Sequence, residues 1–408
     1  MKPETLPNGT TVWSYVLLYS DDVLIISNRG EEIIWNEIGK YFKFKEDSIG
    51  PPDIYLGGKM RLRELETGMI AWSFSSSKYV QEACSNVDRE LRRRFKNNNR
   101  FGTVNGLGKA SSGPDAPLST DYCPELDMTK ELEVNEAAYY QSLVGILRWI
   151  VELGRVDITT EVSVMSSCLA LPREGHMLQL IRIFKYLNKH HNTKLVFDPS
   201  LPNIDENDFP RMDWTGTPYN KGDGSLKEQL PPNQPEEYGI GFIVRMFVDS
   251  DHAGDKVTRR SRTGFLVYCN SALVHWHSKK QTGVETSSFG SEFMAMKQGC
   301  EYVRGLRYKL RMMGISVDQP TYIYADNKSV LINSSNPESC LKKKSNSIAY
   351  HFVREGSARD EWRHAYVKTQ DNPSDLMTKC LPPGEKRVKF VTSLLHHIHL
   401  IFAKTGGC

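Results

Sequence analysis

Short apolar runs alternate with longer amphipathic stretches over the last third of the chain. The run Phe242–Val248 (FIVRMFV) closes a strand expected over Gly241–Val248, and Asp249 follows it directly. Phe265–Cys269 and Leu273–His277 are two β-type runs around a turn near Asn270, the pattern of a hairpin. A helical pattern extends over Phe289–Met313 and stops at Gly314. Thr321–Ala325 predicts a strand ended by Asp326, with a helix from about Asn327 to Asn333. Asn346–Glu355 predicts a helix, His364–Lys368 a strand, and a last helix begins near Pro373. Three antiparallel strands, a helix, a parallel strand and further helices make a mixed-sheet α/β domain of about 150 residues.

Upstream, Trp13–Ser27 holds two β-type runs around the turn Ser20, Asp21, Asp22. Ile33–Phe42 predicts a short helix, Ile54–Arg63 and Gly68–Ser75 two strands, and Ser77–Phe95 a helix whose basic carboxyl end suits its dipole. Ala137–Glu152, Ile158–Ala170 and Gly175–His190 are three more helical patterns. Residues 97–130 and 201–239 are rich in Gly, Asn, Ser and Pro and read as linkers or surface excursions.

Candidate chemistry sits at the element ends. Asp249 and Asp326 end strands, while Glu292 and Asp375 open helical patterns, and α/β folds gather ligands at such places. Four carboxylates suit magnesium or manganese, and two ions about 4 Å apart can cleave a phosphodiester. Four acids among 49 also fall near element ends by chance, so spacing alone does not bring them together.

Composition adds little. With 39% hydrophobic and 25% charged residues the chain is ordinary globular material, and a net charge of +3 permits a nucleic-acid partner without demanding one. Basic residues cluster at Arg89–Lys96, Arg304–Arg311 and Lys342–Lys344. Eight cysteines without a CxxC pair suggest neither a zinc site nor a disulfide framework. MKPETLPNG has no apolar core of a secretory leader, and Tyr15–Ser27 is too short and too acidic to span a membrane. A cytoplasmic or nuclear, non-secreted and non-membrane protein is expected.

Several stretches, in order, resemble the carboxyl-terminal part of copia-type retrotransposon Pol polyproteins. YSDD at Tyr19–Asp22 looks like that family's palm hairpin, and YLGG at Tyr55–Gly58 like the motif after it. Tyr139–Ile150, Val156–Ser166 and Ile181–Phe197 resemble its connection helices. FVDSDHAGD, RRSRTGFLVY, SKKQTGVETSSFGSEFMAM, IYADNKSV, YHFVRE and TQDNPSDLMTKCLP, between Phe247 and Pro382, resemble its ribonuclease H domain. LKKKSNSIAYHF at Leu341–Phe352 departs from the usual Thr-Lys-His and reads as a lineage variant.

The resemblance implies an α/β fold with a ribonuclease H-like mixed sheet on the carboxyl side, after a truncated reverse-transcriptase palm remnant and a helical thumb or connection region. The implied divisions are a palm and thumb start at 1–96, a linker at 97–130, helices at 131–200, a linker at 201–239, the ribonuclease H-like domain at 240–395 and a tail at 396–408. The chain starts almost at YSDD, so the upstream palm aspartate is missing and polymerase activity is not expected; Asp21 and Asp22 are remnant metal ligands.

The implied activity is hydrolysis of the RNA strand of an RNA–DNA hybrid with two Mg²⁺ or Mn²⁺ ions. Asp249 would touch both ions, with Glu292 and Asp326 on one side and Asp375 on the other; His351 is a candidate for proton transfer or product release. Lys279, Lys280, Gln281, Ser287, Ser288 and Asn327 are candidates for holding the hybrid, with Ser287 and Ser288 equally suited to capping the long helix. Asp251 is expected behind the ligands, and Asp255 against Arg259 or Arg260. Arg304, Arg307, Lys309 and Arg311 are either a basic surface or a solvated helix face, and Trp276 and Trp362 packing anchors. Further possible partners are the rest of a polymerase or a second copy, in a virus-like particle or the nucleus. Two other readings stand beside this one: an inactive element remnant with weak nucleic-acid binding, and a structural connection module on a polymerase partner.

Overall fold

The computed structural model describes residues 1–20, 22–45, 49–96, 101, 105–220, 227–341 and 344–397. Strands β1 (Lys2–Thr5), β2 (Thr11–Tyr19) and β3 (Asp22–Ile26) form an antiparallel sheet. Tyr19 pairs with Asp22, and Ser20 takes a positive φ of 52° to close the hairpin. Asp21 lies outside the described residues, and Asp22 is exposed at the start of β3. In place of the expected helix over Ile33–Phe42, a short turn α1 (Gly30–Glu32) runs into a π-helical stretch, Ile33–Ile38.

Strands β4 (Ile54–Tyr55), β5 (Gly58–Glu64), β6 (Ile70–Ser75) and β7 (Thr193–Phe197), with the pair His396–His397, make a second sheet. β7 lies in a tract whose resemblance was to helices; the helix ends at Lys189, and the run TKLVF pairs with β6. Helices α2 (Ser77–Arg94), α3 (Val134–Glu152), α4 (Thr159–Ser166) and α5 (Glu174–Lys189) follow the expected apolar patterns. Leu91, Leu143, Leu147, Ile183 and Phe184 are buried between them.

The last part of the chain is a mixed-sheet domain preceded by this helical region. Its sheet has the order β10–β9–β8–β11–β12, built from β8 (Val244–Asp251), β9 (Arg262–Cys269), β10 (Ala272–Lys280), β11 (Thr321–Ala325) and β12 (Trp362–Tyr366). β8, β9 and β10 are antiparallel, and β11 runs parallel to β8 and β12. β8 continues to Asp251, so Asp249 lies within the strand rather than beyond it. Helices α6 (Ser288–Met312), α7 (Lys328–Ser335), α8 (Ser347–Ala358), α9 (Asp375–Thr378) and α10 (Glu385–Leu394) complete it. Alternate residues of β8, Val244, Met246 and Val248, pack with Phe293, Ala295, Met296 and Val303 of α6. Gly299 lets α6 lie close, since a Cβ there would come within 2.6 Å of Met246 Cε.

The opposite face of this sheet shares a core with the upstream region. Leu266, Leu273, Leu376, Met377, Phe390 and Leu394 pack with Val156 and Leu195. Beside it, Arg387 meets Glu161 at 3.0 Å and donates to the Asp157 carbonyl at 2.7 Å. Burial pushes the Glu161 carboxyl up, with the Arg387 charge opposing. Truncating one member of a buried ion pair strands the other charge, at about 3–5 kcal/mol. Arg387→Met is expected to lower the unfolding free energy of the full chain by about that much. Denaturant unfolding checks this, and a loss below about 1 kcal/mol would show the pair to be dispensable.

The described residues of the tract 201–239, read as a linker, pack along the domain. Phe209 is buried edge-on between Tyr322 and Tyr324, with ring centroids 4.8 and 5.1 Å away. Trp214 lies under the Arg354 guanidinium at 4.8 Å, and Glu228 accepts from Arg307 and Arg311 at 2.6 Å each. Among the described residues no helix is long and apolar enough to cross a membrane.

Candidate metal centre

The parallel register of β8 and β11 sets Tyr324 opposite Phe247, and two residues further it brings Asp326 level with Asp249. Glu292 projects from the first turns of α6, whose start is capped by Ser287 accepting from the Gly290 N–H at 3.2 Å. The Ser250 backbone also hydrogen-bonds the Glu292 carboxylate, tying the helix start to the strand end. Carboxylate oxygens of Asp249, Glu292 and Asp326 lie within 4.8 Å of one another.

The crowding has an electrostatic signature. Burial pushes the Asp249 carboxyl up to about 6, against the Lys379 charge, with Asp375 and Asp326 adding to the rise. Burial pushes Glu292 up to about 9, with the charges of Asp249 and Asp326 reinforcing it. A divalent cation relieves such repulsion, and an all-oxygen donor set fits magnesium or manganese. The residues therefore fit the ion that the sequence implies.

Asp375 stands beside this triad without joining it. Burial raises its carboxyl, but hydrogen bonds from Lys379 and Lys386 outweigh that and hold it below its ordinary value. Each carboxylate oxygen takes one ammonium, Oδ1 from Lys379 and Oδ2 from Lys386. Lys379 Nζ also lies 3.6 Å from Asp249 Oδ2, an oxygen that accepts the Thr378 hydroxyl as well.

A glycine makes this approach possible. Gly264 is the β9 partner of Asp249, and a Cβ on it would come within 2.6 Å of both Met377 Cβ and Thr378 Cγ2. The bare backbone lets α9 press onto the sheet beside Asp249. Gly264→Val is expected to push α9 away and to cost about 1–3 kcal/mol by overpacking. Thermal unfolding checks it; an unchanged midpoint would mean α9 is free to shift.

The remaining sequence candidates fall differently. Lys279 is exposed on edge strand β10. Lys280 instead pairs with Asp255, which also accepts from the Thr258 N–H at 2.7 Å, so its partner is Lys280 rather than the expected Arg259 or Arg260. Gln281 is buried, its amide donating to Thr263 Oγ1 at 3.1 Å and the Ser291 carbonyl at 2.9 Å, which turns it away from a phosphate role. Ser288 opens α6, and Asn327 caps α7 by accepting from Ser329 and Val330. His351 is exposed, with Nδ1 2.6 Å from the Tyr219 hydroxyl. Asp251 is half-buried, and burial raises its carboxyl against the Lys379 and Arg262 charges.

The basic stretch of α6 matches neither expectation. Arg307 and Arg311 are buried on Glu228, and Arg304 pairs with Glu361 at 2.6 Å. Lys309 is exposed, and among the described residues it has no such ion pair. Trp276 and Trp362 do pack in the cores, Trp362 donating to the Val353 carbonyl at 2.9 Å. Sequence reasoning missed Thr378, Lys379 and Lys386. The signal for Lys379 was its position four residues after Asp375 at a helix start.

No protein-family model matches the chain. It is 27% identical over 369 residues to the retrovirus-related Pol polyprotein from transposon RE1 of Arabidopsis thaliana, covering 90% of this chain and 20% of that protein. It is 27% identical over 374 residues to the corresponding polyprotein from transposon TNT 1-94 of Nicotiana tabacum, covering 90% of this chain and 23% of that protein. A putative transposon Ty5-1 protein of Saccharomyces cerevisiae is 23% identical over 66% of the chain and 67% of its own length. Among solved structures, the N-terminal RNase H domain of a Mycobacterium tuberculosis protein, fused to maltose-binding protein, superposes with a TM-score of 0.26. Its sequence identity is 13%, over 34% of this chain and 91% of that one. The chain thus spans about a fifth of the length of the polyproteins it matches first. Over nine-tenths of its own length it is similar to retrotransposon Pol polyproteins.

Proposed function

We propose that this chain hydrolyses the RNA strand of an RNA–DNA hybrid with a divalent metal ion, as part of a copia-type retrotransposon polyprotein. The observation that carries the reading is the meeting of Asp249, Glu292 and Asp326, from two strand ends and a helix start, within 4.8 Å. Similarity to Pol polyproteins supports the same class, as does the ordered set of motifs between Phe247 and Pro382.

Magnesium or manganese held there would acidify a water and neutralise charge on the scissile phosphate and leaving 3′ oxygen. The chain's own groups supply the rest. Asp249, Glu292 and Asp326 would hold the ion, Asp249 from β8, Glu292 from α6 and Asp326 from the end of β11. Thr378 holds the Asp249 carboxylate from the α9 side. The ammonium groups of Lys379 and Lys386 and the exposed Lys279 offer positive charge to the phosphate backbone, which positions a duplex without reading its sequence. His351 and Asn327 are proposed second to these, on the element that follows each motif.

The test uses the full chain, since the shared core of Val156, Leu195, Leu266 and Phe390 ties the domain to the upstream helices. Labelled hybrid, RNA duplex and DNA duplex are offered with Mg²⁺ or Mn²⁺. Cleavage confined to the RNA strand of the hybrid is expected; no cleavage with either ion by folded protein would end this reading.

A further inference from the structure

We propose that Lys379 occupies the place of a second cation, so that the centre takes one divalent ion rather than two. The inference rests on the metal-dependent reading above and concerns how many ions that site holds.

The argument is one of space and charge. Asp249, Glu292 and Asp326 converge on a single point, within 4.8 Å of one another. Asp375, the acid that a second ion requires on the other side of Asp249, has both oxygens engaged by ammonium groups. Lys379 Nζ reaches both acids, hydrogen-bonding Asp375 and standing 3.6 Å from Asp249 Oδ2. That is the bridging position between these two carboxylates. A second ion has to displace this ammonium and strip Lys386 from Asp375 as well.

The charge balance agrees. Four carboxylates face two ammonium groups, which leaves two negative charges, and one divalent ion cancels them. A second ion added beside both ammonium groups would leave these groups doubly positive, so it enters only by displacing them, which breaks the ion pairs on the buried Asp249 and Asp375, 2% and 1% exposed. The lysines are also held in place. Lys379 directly follows α9, its N–H donating to the Asp375 carbonyl at 3.0 Å, and α9 is pressed against the sheet through Gly264. Their side chains remain 41% and 43% exposed, so the same positive charge is open to a phosphate oxygen.

The experiment counts ions and needs no turnover. Mn²⁺ binding to the full chain is followed by electron paramagnetic resonance of the free ion and by calorimetry. The wild-type chain is expected to bind one Mn²⁺. Asp326→Asn should lose it, and Asp375→Asn should keep it. Lys379→Met with Lys386→Met should gain a second ion, with circular dichroism confirming that each variant is folded. Two ions in the wild-type chain, falling to one in Asp375→Asn, would overturn the inference while leaving the metal-dependent reading intact. A folded double lysine variant that still binds one ion would overturn it too, because the lysines would then not be what excludes the second. No Mn²⁺ bound by the wild-type chain would remove the metal centre itself.

Discussion

Asp249→Asn is expected to reduce cleavage of the hybrid by at least about 10³-fold, the equivalent of roughly 4 kcal/mol of transition-state stabilisation. The carboxylate touches every other part of the site: the triad with Glu292 and Asp326, the Thr378 hydroxyl and the Lys379 ammonium. An amide keeps the shape and one oxygen but loses the charge that holds a cation. The same substitution should not weaken the metal-free fold. It removes the buried charge that raises Glu292, and Thr378 can still donate to the amide oxygen. Lost activity with an unchanged or higher melting temperature is therefore the expected pair of results, and it separates a chemical role from a packing role. Gel assays with labelled hybrid and thermal unfolding check the two halves. Cleavage within about tenfold of the wild-type rate would place the chemistry elsewhere.

The acids were legible in the sequence because each stands where an apolar run breaks or a helical pattern begins, although β8 runs on to Asp251 and holds Asp249 within it. Their convergence was not legible from spacing, because it depends on β11 lying parallel to β8 and on the register that puts Tyr324 opposite Phe247. No local pattern encodes that register; the ordered resemblance supplied the expectation instead. The strands of the last domain and its helices α6, α7 and α8 were read to within a few residues because their periods are strong, whereas the single helix read from Pro373 is the short α9 followed by a separate α10. β7 was missed because the five-residue run TKLVF, after the helix read to His190, pairs with β6, more than a hundred residues earlier, and no local pattern shows that pairing. The tract 201–239 was read by its Pro, Gly and Asn content, yet Glu206, Phe209, Trp214, Tyr219 and Glu228 all fasten it to the domain. Arg307 and Arg311 looked free for the same reason, since their partner lies 79 and 83 residues away. The meeting of Lys379 with Asp249, 130 residues earlier, was not legible because it arises only where α9 packs on the sheet at Gly264.

Without metal, the melting temperature is expected to fall as pH rises from 6 to 9, and divalent metal should reverse that fall. The sign follows from two raised carboxyls. Asp249 stands at about 6 and Glu292 at about 9 in the folded chain, both above their ordinary values near 4. The folded state therefore holds protons that the unfolded chain has already released. Their contribution is fully present below about pH 4 and is lost as pH rises through 6 for Asp249 and then through 9 for Glu292. Four imidazoles act on the acid side, burial lowering His190 as it does His275, His277 and His364. Burial lowers His275 and His277 to about 4 and His364 to about 3, so their contribution is present above about 6.5 and lost as pH falls through those values. The slope between 6 and 9 thus belongs to the carboxyls, Glu292 above all. Because the ion binds only the ionised carboxylates, its affinity and its stabilising effect grow over the same interval. Melting curves at pH 6, 7.5 and 9, with and without millimolar Mg²⁺, should show the largest metal shift at pH 9. Glu292→Gln, which imitates the protonated side chain, should flatten the upper half of the metal-free slope and abolish most of the metal shift. A metal-free melting temperature that is flat or rising between pH 6 and 9 would mean that the three carboxylates do not crowd one another in solution.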